Sequence, residues 1–308
     1  MNKGDPQCKD FISLLREDLM LDEFPGLRSL LLSAPAAPNQ VAAGAAASDT
    51  PVQQAGLERY KMNHSPRGIC VIINNVDFVK KEKKRHGSDK DADALKNVFT
   101  WLGFTVESHK NKTVDEMKRV LQDCSKRAGG DCFICCVLSH GGSKGVSGCD
   151  DEVLPMEEIL KPFRGHVCPG LVGKPKLFFI QACRGGGIQE EARLTMDSIM
   201  EVSQDVDDKP LQITISADAD FLVCRSTVDG YAAMRHRDYG SWFIQSLCKH
   251  FEKDVPSHDI LDILLWVNAE VSQKEANITL QGQRRKARQI SEQTSRLRKK
   301  LVFPVPHN

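Results

Sequence analysis

From residue 67 to residue 183 the chain alternates two textures. Short unbroken apolar runs, such as Ile69-Cys70-Val71-Ile72-Ile73, Phe133-Ile134-Cys135-Cys136-Val137-Leu138 and Phe178-Phe179-Ile180, predict strands buried on both faces. Between them lie stretches whose apolar residues recur three and four apart. Residues 91–102 gather Ala94, Leu95, Val98 and Phe99 on one face, and residues 113–127 gather Val114, Met117, Val120 and Leu121, so both predict amphipathic helices. Residues 104–107 predict a further strand and 156–163 a shorter helix. After residue 217 the rhythm resumes with a strand over 219–224, helices over 241–253 and 259–272, and a last strand over 295–303. Strands alternating with helices predict an α/β fold, a mostly parallel sheet with helices on both faces.

Two segments break the rhythm. Residues 184–217 hold glycines and many acids but few apolar anchors, the texture of a functional or unstructured segment. Residues 33–56, rich in alanine and proline, form a linker without core-forming periodicity. Before it, Phe11, Leu14, Leu15 and Leu19 stand at near-helical spacing, and Leu27, Leu30 and Leu31 follow Pro25-Gly26. That predicts two short helices over residues 1–32. The α/β region then forms two blocks, 57–197 and 209–308, joined by an exposed segment at 198–208.

Composition mainly removes alternatives. The 308 residues are 41% hydrophobic and 27% charged with a net charge of +1, which argues for neither nucleic-acid nor membrane partners. No apolar run reaches the ~18 residues of a membrane span, and the N-terminus lacks the layout of a secretory signal. Eleven cysteines, an odd number and several inside apolar runs, fit buried thiols in a reducing, cytoplasmic compartment better than a disulfide framework. Cys132-Phe133-Ile134-Cys135 lies within a strand pattern and reads as core rather than as a redox pair. No zinc-finger spacing, phosphate loop or dinucleotide fingerprint occurs, so neither metal nor cofactor is expected.

The chemistry lies where two strands end. The run Phe178-Phe179-Ile180-Gln181 stops at Ala182-Cys183-Arg184-Gly185, and the run ending in Leu138 stops at Ser139-His140-Gly141-Gly142. Two neighbouring strands that finish in a cysteine and a histidine place a nucleophile beside its base, the layout of a cysteine peptidase. Gln181, two residues before Cys183, shares its face of the strand.

Gln181-Ala182-Cys183-Arg184-Gly185, with His140-Gly141 43 residues upstream, is similar to the caspase signature, and the likeness extends over nearly all of both blocks. The wording around the motifs is most similar to the caspase-8-like initiators. The resemblance implies a three-layer sandwich around a six-stranded, mostly parallel sheet. It implies Cys183 as nucleophile, His140 as base, backbone N–H groups of Gly141 and Cys183 as the oxyanion hole, and a backbone carbonyl near Lys83 that orients the imidazole. It implies cleavage after aspartate, read by Arg85 in Arg85-His86-Gly87-Ser88-Asp89-Lys90-Asp91, by Gln181, and by Arg235 ahead of Gly240-Ser241-Trp242-Phe243. One departure stands out: Met234 occupies the place of an aromatic residue before the binding arginine, so the resemblance does not fix the preference two positions upstream of the cleaved aspartate.

The resemblance also implies a single-chain zymogen, with blocks 57–197 and 209–308 as large and small subunits and Asp197, in Leu194-Thr195-Met196-Asp197-Ser198, as the first processing site. Asp205, Asp207, Asp208 and, for release of the N-terminal piece, Asp49 are alternatives. Pairing of two copies through the small subunit, with residues 295–303 as the edge, is implied too. Residues 1–32 resemble the last helices of a CARD-type death fold, which would bind an adaptor; a plain helical tail fits equally. The rival reading is a catalytically silent homologue that regulates an active partner by pairing with it. Such a protein is expected to lack the cysteine, the histidine or an acid-binding arginine, and all are present. Apoptotic and inflammatory roles both remain open on this reading.

Overall fold

The computed structural model describes residues 58–185, 187, 216–255, 257–280 and 283–305, all of them within the unit Ala55–Asn308. The N-terminal piece, its linker, and Asp49, Asp197, Asp205, Asp207 and Asp208 lie outside the described residues.

In chain order the structure runs β1 (Ile69–Asn74), α1 (Ser88–Trp101), β2 (Thr105–Lys110), α2 (Val114–Arg127) and β3 (Phe133–Leu138). Three short strands follow, β4 (Gly141–Gly142), β5 (Gly145–Ser147) and β6 (Val153–Leu154), then α3 (Met156–Leu160) and β7 (Lys176–Gln181). The second block holds β8 (Phe221–Arg225), β9 (Arg235–His236), β10 (Gly240–Ser241), α4 (Trp242–Asp254), α5 (Ile260–Gln273), β11 (Ala276–Leu280), β12 (Gln283–Ala287) and β13 (Glu292–Ser295).

Six strands form the central sheet in the order β13-β8-β7-β3-β1-β2. All neighbours are parallel except β13, which runs antiparallel to β8. Both faces are apolar, which explains the unbroken hydrophobic runs. Cys70, Ile72, Ile134, Cys136, Leu177, Phe179, Leu222 and Cys224 meet α1, α4 and α5 on one face. Their alternates Val71, Ile73, Phe133, Cys135, Phe178, Ile180, Phe221 and Val223 meet α2 and α3 on the other. Cys132 and Cys135 are fully buried, and all ten cysteines among the described residues are free.

Local signals set the helix starts. Thr113 and Glu116 form a reciprocal capping box on α2. Ser241 caps α4 and Asp259 caps α5. Helix α1 begins three residues earlier than its apolar periodicity predicts, because Gly87 caps it in the left-handed region at φ 82°.

The C-terminal expectation needs correcting. The edge strand is Glu292–Ser295, not residues 295–303. Beyond Ser295 the chain leaves the sheet, with Leu301 and Phe303 buried in the core and Lys300 bridging to Arg59. The apolar alternation there records core anchors rather than strand pairing. The β11–β12 hairpin, polar and basic, was not anticipated from the pattern. Among the described residues no helix is long and apolar enough to cross a membrane.

Candidate active site

Strand register brings the cysteine and histidine together. β3 and β7 are parallel neighbours with Leu138 opposite Gln181, and Ser139 N–H adds a further rung to the Gln181 carbonyl at 3.1 Å. His140 and Cys183 therefore occupy matched positions, each two residues past the last paired residue. Gly141 confirms the closeness: a Cβ there would lie 2.9 Å from the Cys183 carbonyl oxygen and 2.8 Å from that of Gly145. Only glycine lets the His-Gly turn lie so close to the cysteine's main chain.

His140 is half-buried under Phe78, whose ring centroid lies 4.8 Å from that of the imidazole. Its Nε2 bonds the Lys83 carbonyl oxygen at 2.6 Å. A carbonyl only accepts, so Nε2 carries the proton and Nδ1 keeps the lone pair that can take another. Burial lowers the imidazole's pKa, the Lys83 carbonyl raises it, and the cations of Arg85, Arg235 and Lys83 lower it further. The net shift is downward, which keeps the ring neutral. Cys183 is partly exposed, and its Sγ accepts from the Ala233 N–H at 3.4 Å.

The two arginines come from distant segments. Arg85 is 2% exposed, and Nη1 donates to the Asn75 carbonyl at 3.0 Å and to Ser88 Oγ. Arg235, on β9, donates from Nη1 to the His86 carbonyl. Gly87 permits this approach, since a Cβ there would lie 2.3 Å from the His236 carbonyl oxygen. Burial and then repulsion from Arg235 push Arg85 down to about 9, with Asp91 and Cys183 opposing. Gln181 is 2% exposed, and its Oε1 has no hydrogen-bond partner. Two guanidiniums thus sit beside the cysteine, with the Gln181 side chain buried next to them. Met234 is tied by its main chain, its N–H donating to Gln289 Oε1 at 2.6 Å.

Several supports carried no clear sequence signal. Asp91, buried at the start of α1, accepts from Ser241 N at 2.9 and 3.1 Å and from Gln245 Nε2 at 2.8 Å. It fixes the β9–β10 hairpin and is the carboxylate nearest the arginines. It was part of the quoted Arg85–Asp91 segment but had no assigned role. Ser226 clamps Ala182, accepting from its N–H at 3.3 Å and donating to its carbonyl at 3.0 Å. Gln289 bridges Met234 and the Ser226 carbonyl. Arg184 reaches across to Glu292 on β13. Among the described residues, no group of three or more His, Cys, Asp or Glu side chains is arranged to hold a metal ion.

Comparisons with known proteins bear on the family of the chain. The Caspase domain family model matches residues 67–302. Caspase-10 of Homo sapiens is 45% identical over 212 residues, 68% of this chain and 40% of the relative. Caspase-8 of Mus musculus is 37% identical over 277 residues, 83% of this chain and 56% of the relative. The chain thus spans about half the length of these curated relatives. The crystal structure of caspase-1 from Spodoptera frugiperda superposes with a TM-score of 0.72 at 32% identity, covering 82% of this chain and 97% of that one. With the family model matched over most of its length and a relative 45% identical across two thirds of it, the chain belongs to the caspase family.

Proposed function

We propose that the chain is a cysteine endopeptidase that cleaves after aspartate. The observation that carries this reading is the matched strand register of His140 and Cys183 beside two half-buried or buried arginines. His140 Nδ1 takes the Cys183 thiol proton, and the thiolate attacks the scissile carbonyl carbon. The N–H groups of Gly141 and Cys183 receive the oxyanion. His140 then protonates the leaving amine, and a thioester remains on Cys183. Water, giving its proton to His140, attacks the thioester; the carboxylate product leaves and Cys183 regains its proton. Arg85, Arg235 and Gln181 hold the substrate aspartate carboxylate, the two guanidiniums by charge-assisted bonds. Met234 covers the next upstream side chain with a flexible apolar surface.

The chain is a zymogen on this reading, processed at Asp197 or Asp208, with Asp49 releasing the N-terminal piece to which an adaptor binds. Pairing of two small subunits along the free edge of β13 activates it. The Ala233 N–H on Cys183 Sγ supports a latent monomer, because the segment leading to β9 leans on the nucleophile. The process served is cell death in a reducing, cytoplasmic setting. The test is turnover of tetrapeptide reporters ending in Asp or Asn by wild type and Cys183→Ala, with pairing promoted by a kosmotropic salt. Asp-selective turnover lost in the variant is expected. No wild-type turnover, paired and cut after Asp197, would establish the silent-regulator reading instead.

A further inference from the structure

The Lys83 carbonyl that holds His140 belongs to a poorly anchored turn. The 3-10 turn Lys81–Lys83 buries none of its residues and has no side-chain cap. Within its own segment it is closed only by Lys83 N–H to the Lys80 carbonyl at 2.9 Å and Lys84 N–H to the Lys81 carbonyl at 3.2 Å. Lys84 pairs with Asp77, and both are about half exposed.

The loop between β5 and β6 supplies the missing anchor. Asp151 spends one carboxylate oxygen on each end of the turn. Oδ2 accepts from Lys80 N–H at 3.2 Å and Oδ1 from Lys83 Nζ at 2.8 Å. The Cys149 carbonyl adds a bond from Val79 N–H at 3.0 Å. Asp151 does this from φ 66°, a left-handed conformation that glycine adopts freely and that aspartate and asparagine adopt more readily than other side chains, though at some cost. The position would be easier to build without a side chain, and the side chain present there is fully engaged on the turn. Its side chain is 15% exposed against 40% for Lys83, so the pair is shielded on the carboxylate side.

We propose that Asp151 is a positioning residue for His140, acting through the turn that carries the Lys83 carbonyl. It never meets substrate. By pinning both ends of the turn it sets where the carbonyl meets Nε2–H, and so holds the tautomer that leaves Nδ1 free to take the thiol proton. It also engages the Lys83 ammonium, one of the three cations that face His140 together with Arg85 and Arg235. The inference rests on the peptidase reading of His140 and Cys183.

The experiment is the pH dependence of kcat and KM on an Asp-ending tetrapeptide, for wild type, Asp151→Gly, Asp151→Asn and Lys83→Met. Asp151→Gly relieves the backbone strain, so the fold should hold, which thermal denaturation checks. Its kcat should fall about tenfold with KM within about twofold, the signature of a misplaced base rather than a lost binding contact. Its acidic limb should move to lower pH, because the carbonyl bond that favours imidazolium loosens while the Lys83 charge goes unanswered. Asp151→Asn, which tolerates positive φ and still offers an acceptor to Lys80 N–H, should recover part of kcat. Lys83→Met keeps the carbonyl but removes one of the cations that lower the imidazole's pKa, so its acidic limb should move the opposite way, to higher pH, and its loss of kcat combined with that of Asp151→Gly should be less than the product of the two single effects. An active wild type with an unchanged Asp151→Gly profile overturns the positioning role alone. A wild type without turnover overturns both this role and the peptidase reading beneath it.

Discussion

The two ends of the central sheet both bury charge and treat it differently. At the end where the parallel strands begin, the fully buried Asp220 is answered on every side. Tyr60 Oη donates to it at 2.7 Å, and Arg298 Nε and Nη2 donate at 2.8 and 3.0 Å. Nearby, buried Lys176 donates to the carbonyls of Leu171 and Lys174 at 3.0 and 2.9 Å and lies over the Phe221 ring. At the end where the strands finish, Arg85 and Arg235 face the single carboxylate of Asp91, which already bonds Ser241 and Gln245. Balanced charge ties Tyr60 and Arg298 to the start of β8. Unbalanced charge costs stability and is the arrangement a substrate carboxylate would complete.

This contrast predicts that changes at one end register in turnover and changes at the other in stability; a variant that crosses over breaks it. Cys183→Ala should abolish turnover, by at least about 10⁴-fold, at unchanged denaturation midpoint. Arg235→Ala should lower kcat/KM on Asp reporters by about 10³-fold and leave or raise stability, since it relieves repulsion on Arg85. Asp220→Asn should cost about 2–3 kcal/mol in urea denaturation, with kcat/KM of the folded fraction unchanged. The figure is discounted because Arg298 is 40% exposed and keeps water as a partner. The pH limbs sharpen the comparison further. His140 is held below its ordinary 6.5, so it stays a neutral base as pH falls and the acidic limb of kcat/KM should have its midpoint below 6.5. Lys176 is pushed down to about 8 by burial, so the unfolded chain binds its proton more tightly. Stability should therefore rise between about pH 8 and 10.5, and Lys176→Met should flatten that rise.

Which parts were legible follows from what the residues do. Strands and helices that bury side chains announce themselves, and β1, β3 and β7 with α1 and α2 fell where their periodicity placed them. The strand ends that carry Cys183 and His140 were legible for the same reason. β13 was not, because Glu292-Gln293-Thr294-Ser295 is held to β8 by main-chain bonds and leaves no apolar trace. Leu301 and Phe303, alternating and apolar, suggested a strand where there are only core anchors. Ser226 and Gln289 each act by two hydrogen bonds to main chain from the second block, a role that ordinary polar residues fill without any motif. Asp151 carries no motif in the sequence; its φ and its two partners mark it out.

The rung that pairs Leu138 with Gln181 has one more consequence. On the proposed reading the two reacting side chains stand two residues beyond the ends of adjacent strands of a buried ladder, so the register sets their offset along the strand in whole residues, roughly 3.3 Å each. A slip of one rung would need the core to let go. Heat or denaturant should therefore keep nucleophile and base in register until the core melts, whereas the arginines, held by hairpin and loop, lose their aim earlier. Approaching the melting transition, such an enzyme would forget its preference for aspartate before it forgot how to cut.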